Sequence, residues 1–192
     1  MYPVPYDECY RVLAIDPSTS ATGFSVLDHN VLTQETHIAF ASTVFRKDLL
    51  KRKDWIASVH GERSAAVAGY GEALANMLRY WSPTLVIAEA PYLSRLPAAF
   101  KALVEVQTSL RLTVMDFDPT LPFETVDPAR AKQNIGVSGK SGDKEAVAIA
   151  VRARPGLYTV NGVDLSRIDE HSMDSIAVGL YHIDTYVKQC PW

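Results

Sequence analysis

The sequence predicts an α/β fold, a mixed five-stranded sheet flanked by helices. Short apolar or alternating runs that read as strands dominate its first part, and longer stretches with apolar residues at helical spacing dominate the remainder. The two kinds interleave as three strands, helix, strand, helix, strand, then helices, an order that builds a mixed sheet with helices packed against it. A chain of 192 residues that is 47% hydrophobic suits one domain, residues 1–192, with one substantial core.

Residues 10–16, YRVLAID, are an apolar run ending in an acid before proline, which predicts a buried strand leading into a turn. TGFSVLD, 22–28, alternates as a second strand, and the turn formers of DPSTSATG between the two predict a hairpin with an enlarged loop. The β-branched and aromatic stretch 36–45 is the third strand, followed by a polar, basic segment, 46–60, that reads as a loop or an exposed helix. Between Glu62 and Trp81, the residues Ala66, Ala73, Leu74, Met77, Leu78 and Trp81 recur at helical spacing, and Ser82-Pro83 supplies the stop. TLVIAEA, 84–90, reads as a fully buried strand, Ala98 to Val114 as a helix, and PFETV, 122–126, as the fifth strand. Asp127-Pro128 has the form of an N-cap with proline at the first helical position, opening a short helix to about Asn134. After a glycine-punctuated loop, Asp143 is placed to cap a helix over 144–153, and a last helix is expected from about Asp169 to Val187. There are no repeats and no low-complexity tract.

No apolar run approaches the ~20 residues needed to cross a bilayer, and Met1 to Tyr10 lacks the pattern of a signal peptide. The expected location is the cytoplasm of a bacterial or phage-infected cell, with an organellar origin as the alternative. Cys9 and Cys190 offer neither a disulfide framework nor metal-ligand spacing and read as two reduced thiols. A net charge of −3 argues mildly against a nucleic-acid partner, yet a chain that gathers carboxylates in one site can keep another face basic. Arg46, Lys47, Lys51, Arg52 and Lys53 form one basic cluster, and Arg130, Lys132, Lys140, Lys144, Arg152 and Arg154 another. Either cluster alone reads as a solvated face.

The acids carry more information. Asp16 ends the first strand, Glu89 ends the fourth, and Asp174 lies near the start of the last helix, one turn after His171. Taken singly, Asp16 reads as a turn-capping residue and Glu89 as a strand end turning to solvent. If the first and fourth strands are adjacent, however, Asp16 and Glu89 stand side by side, and residues three apart on a helix let His171 and Asp174 share a face toward them. Carboxylates so close raise one another's pKa, and a divalent metal resolves the conflict. Two such ions can activate water and stabilise the departing oxygen of a phosphodiester.

At these residues the chain resembles the RuvC-type Holliday junction resolvases of the RNase H-like superfamily. VLAIDPSTSATGFSVLD is similar to that family's opening strand pair, VIAEAPY to the strand carrying its second acid, ARAKQNIGVSGKSGDKEAV to its basic segment, and HSMDSIAVGLYH to its final helix. The four blocks occur in the family's order and cover most of the chain. The resemblance implies an RNase H-like fold and a homodimeric, crossover-junction endonuclease that binds four-way DNA junctions and makes paired nicks with Mg²⁺ or Mn²⁺, two ions per active site. Asp16, Glu89, His171 and Asp174 match the catalytic and metal-binding positions, with the role of His171, as ligand or as proton-handling group, left open. Lys132 and Lys144 match two basic positions that could hold phosphates near the metals, and Lys144 is counted among the catalytic residues as well. Lys140, in the same segment, and Tyr92, where relatives carry an aromatic residue, join them as DNA-binding candidates. Ser18 stands where the family has glycine, and EVQTSLRL replaces a glycine-containing stretch of the helix that forms the dimer contact in relatives, so the dimer geometry is open. The alternatives are an RNase H-like nuclease acting on RNA–DNA hybrids or other branched DNA, and an actin-like ATP-binding module. The latter shares the opening hairpin but needs a second domain.

Overall fold

The computed structural model describes residues 8–92, 97–138 and 144–189. Its strands are β1 (Cys9–Asp16), β2 (Ala21–Asn30), β3 (Thr36–Phe45), β4 (Leu85–Glu89), β5 (Phe123–Val126) and β6 (Leu157–Thr159). The helices are α1 (Arg46–Arg52), α2 (Asp54–Trp81), α3 (Pro97–Phe117), α4 (Pro128–Asn134), α5 (Lys144–Arg152) and α6 (Glu170–His182), and a π-helical turn, Ile183–Val187, follows the last. The order across the sheet is β5-β4-β1-β2-β3-β6. Antiparallel pairing joins β1 to β2 and β2 to β3, whereas β1–β4, β4–β5 and β3–β6 are parallel.

The predicted mixed sheet is present with six strands, not five. The additional one, β6, is three residues long and lies in the stretch read from sequence as a loop. It pairs beside β3 through Thr36, His37 and Ile38. The basic segment after β3 is helical, so α2 begins at Asp54, eight residues before the predicted start. A break at Gly61, with φ 83° and ψ 156°, separates the turns 54–60 from the rest of the helix. Asp127 caps α4 as expected, its side chain accepting from the Ala129 N–H with Pro128 at the first helical position. The proposed cap Asp143 lies outside the described residues, as do Lys140 and Cys190. Cys9 is a free, half-buried thiol, and burial pushes it up to about 12. Among the described residues no helix is long and apolar enough to cross a membrane.

Two cores sandwich the sheet. Val12, Ala14, Leu27, Leu85 and Ile87 face α4, α5 and α6, whereas Leu13, Ile15, Phe24, Val26, Val86 and Ala88 face α2 and α3. Strand side chains alternate between faces, so this division settles where the acids fall. Asp16 continues the set Val12, Ala14, and Glu89 continues Leu85, Ile87. Both therefore belong to the face that α6 covers, at the end of the sheet where β1 and β4 terminate.

Candidate active site

The parallel register of β1 and β4 runs to Ile15 opposite Ala88, and Asp16 and Glu89 are the next residue on each strand. On one side Glu89 pairs with Val126, the residue before Asp127, and on the other Asp16 pairs with Gly23, which pairs in turn with Thr43. The two acids are thus central in a row that crosses five strands.

The last helix reaches this row because Gly23 lets it. A Cβ built on Gly23 would lie 2.0 Å from the His171 carbonyl oxygen and 2.3 Å from its carbon, so only glycine allows the backbone of α6 to rest against β2 there. Asp169, the N-cap of α6, accepts from the Ser172 N–H at 3.0 Å. The Thr43 hydroxyl donates to the same Asp169 oxygen at 2.6 Å and lies 2.9 Å from the Ser172 hydroxyl. A β3 side chain thereby fixes the N-terminal turn that carries His171 and Asp174. Neither Gly23 nor Thr43 was identified from the sequence. The Asp-x-x-Ser capping spacing at 169–172 was the available signal for the polar anchor.

Around these anchors Asp16, Glu89, His171 and Asp174 come within electrostatic range of one another. His171 Nδ1 lies 2.8 Å from Asp16 Oδ2, and its Nε2 lies 3.8 Å from Glu170 Oε1. The Asp16 hydrogen bond raises the imidazole above its ordinary range against the opposing effect of burial. Burial, followed by the charges of Asp16 and Asp174, pushes the Glu89 carboxyl up to about 8. Asp174 is pushed to about 6 by burial and by Asp16. Lys132 acts in the opposite sense on both carboxyls, which places this predicted cation within electrostatic reach of the acids. Asp127, not singled out from sequence as a site residue, adds to the negative field on Glu89. Among the described residues no three His, Cys, Asp or Glu side chains close on a common point as metal ligands do. The acids line one end of the sheet at charge–charge range. Tyr92, three residues beyond Glu89, is 67% exposed. Lys144 begins α5, and its side chain lies outside the described residues.

Such a site makes the fold sensitive to alkali. The Glu89 carboxyl, ordinarily near 4.5 and here near 8, holds a proton in the folded protein that the unfolded chain has already released. Its stabilising contribution is complete below about pH 4.5 and disappears as pH rises through 8. The raised His171 imidazole acts in the same direction. His29, lowered to about 4 by burial, loses stability only toward acid. In chelator, urea unfolding is accordingly expected to show a loss of about 2 kcal/mol between pH 6.5 and pH 9. A flat profile across that window would mean that Glu89 ionises freely.

No protein-family model matches the chain, and no curated protein matches it. Solved structures do. Over 93% of this chain and 95% of the other, it is similar to Thermus thermophilus RuvC in complex with Holliday junction substrate, with a TM-score of 0.69 and 18% identity. The yeast mitochondrial Holliday junction resolvase matches with a TM-score of 0.62 and 13% identity over 89% of this chain and 76% of the other. The human cytomegalovirus terminase nuclease domain, Mn soaked and inhibitor bound, matches with a TM-score of 0.54 and 12% identity over 94% and 86%. The fold is therefore RNase H-like. Within that class it is the RuvC-type form that the sequence resembles.

Proposed function

We propose that this protein is a metal-dependent endonuclease that resolves four-way DNA junctions, with Asp16, Glu89, His171 and Asp174 as its catalytic and metal-binding residues. The observation that carries the reading is the placement of three carboxylates and a histidine from β1, β4 and α6 within charge–charge range at one end of one sheet face, where two of the acids are held above their ordinary range. No stability argument accounts for such crowding, since buried like charges oppose folding. The similarity to a RuvC structure in complex with its junction supports the choice of DNA substrate.

Oxygen donors with one imidazole fit Mg²⁺ or Mn²⁺, and Asp16, Glu89 and Asp174 would hold two such ions. When bound, the ions would supply a water activated for attack and stabilisation of the departing oxygen. Asp16 holds the His171 ring through Nδ1, leaving Nε2 as the nitrogen that would exchange a proton with water. Lys132, within electrostatic reach of the acids, would meet a phosphate there, and Lys140 and Lys144 would add further phosphate contacts. Exposed Tyr92 would stack on a base at the junction centre. Paired nicks related by symmetry require two such sites, hence a homodimer.

The direct test is a cleavage panel. With Mg²⁺ or Mn²⁺, four-way junctions are expected to be nicked at least about a hundredfold faster than linear duplex. Flaps and RNA–DNA hybrids complete the panel. Exclusive activity on hybrids would move the protein to the RNase H reading, and no activity on any of these would remove the nuclease assignment. In parallel, saturating Mn²⁺ is expected to raise stability more at pH 9 than at pH 6.5, because the ion binds ionised carboxylates.

A further inference from the structure

The flank of α2 carries a second surface that the catalytic reading does not use. Residues 46–60 hold five cations, Arg46, Lys47, Lys51, Arg52 and Lys53, against the carboxylates of Asp48 and Asp54, in a chain whose net charge is −3. Their course is fixed by hydrogen bonds. The Arg46 N–H donates to the Ser20 carbonyl in the β1–β2 loop just beyond Asp16, and its side chain donates to Glu62 at 2.8 Å. At the other end of α1, Lys53 pairs with Glu72, ten residues further along α2. The chain therefore runs from the acidic end of the sheet along the outside of α2 and returns through 54–60 to the break at Gly61.

The returning turns place Trp55 and Val59, four residues apart, on one helical face. They are 67% and 72% exposed. An indole in water beside a row of cations suits a polyanion that also offers flat apolar faces. A paired duplex offers phosphates but hides its bases, whereas an unpaired strand offers both, and a run of cations followed by an exposed aromatic ring is a composition that serves single-strand binding.

We infer that α1 and the turns 54–60 form a binding site for single-stranded DNA, with Lys47, Lys51 and Arg52 on phosphates and Trp55 stacked on a base. Resting on the nuclease reading, this extends the substrate class: branched DNA bearing a single-stranded tail should bind more tightly than the same branch with blunt arms.

Binding of the full chain in EDTA, followed by fluorescence anisotropy, tests the site without metal or cleavage. A labelled oligothymidylate and a blunt duplex of equal length are the probes. Trp55→Ala is expected to weaken oligothymidylate binding about tenfold, Trp55→Phe to restore most of it, and neither to change duplex binding. Joint replacement of Lys47, Lys51 and Arg52 by glutamine should lower the salt slope for the oligonucleotide by about 2. Nicking of blunt four-way junctions should be unchanged in Trp55→Ala, so a chain with no nuclease activity but intact Trp55-dependent binding would sink only the catalytic reading. Equal affinity of Trp55→Ala and the unsubstituted protein for oligothymidylate would overturn the site. So would Trp55-dependent binding to anionic phosphatidylserine vesicles without DNA binding, or a Trp55-dependent dimer that excludes the oligonucleotide.

Discussion

Asp16→Asn is expected to reduce junction nicking by at least about 10³-fold, roughly 4 kcal/mol of transition-state stabilisation, while making the metal-free protein more stable. The two effects have one cause. Asp16 contributes to the raised state of both Glu89 and Asp174, so neutralising it relieves the repulsion that burial amplifies. An asparagine oxygen can still accept from His171 Nδ1, where the Asp16 bond measures 2.8 Å, so the ring keeps its anchor while losing the partner that raises its pKa. Urea unfolding in chelator should show a higher midpoint at pH 9 for the variant, with a shallower decline from pH 6.5. Nicking close to that of the unsubstituted protein would remove Asp16 from the site. Lost activity together with lost stability at every pH would make its role structural.

Gly23→Ala is expected to cost about 3 kcal/mol of stability and, in the fraction that stays folded, about a hundredfold in nicking. The added carbon would meet the His171 carbonyl oxygen at 2.0 Å, and both contacting groups are backbone, so no rotamer change relieves the clash. The start of α6 must lift from β2, carrying His171 and Asp174 away from Asp16 and Glu89, and small misplacements of catalytic groups are costly. Gly179 provides the control on the same helix. There the nearest atom to an added Cβ is the end of the Leu27 side chain at 2.7 Å, which can rotate, so Gly179→Ala should lower stability by a smaller amount and leave nicking near normal. Equal effects of the two alanines on nicking would show that α6 tolerates displacement at its N-terminal end.

Much of this arrangement was legible because strand periodicity is a local property. VLAID and LVIAE each alternate between the two cores, so the terminal acid of each strand falls on a known face once the strands are adjacent. The Asp127-Pro128 cap and the three-residue spacing of His171 and Asp174 were equally local. Other features depended on distant partners. β6 has three residues and exists by pairing with β3, which leaves too little pattern to register as a strand. Residues 54–60 read only as a loop or an exposed helix, because the break at Gly61 cuts them off from the periodic pattern of the rest of α2. Thr43 is an ordinary β-branched residue in a strand until Asp169, 126 positions away, docks against it. Gly23 likewise looks like part of a hairpin until the last helix is laid across it.

The distance along the chain between Asp16 and His171 also matters during synthesis. The acids of β1 and β4 leave the ribosome early, but the helix that completes their surroundings is 155 residues behind the first of them. Until α6 has emerged and settled against β2, a growing chain holds two neighbouring carboxylates without their histidine or third acid. Whatever chemistry the assembled group performs is thus withheld from partial translation products, and a chain interrupted before residue 170 should be inert toward nearby DNA.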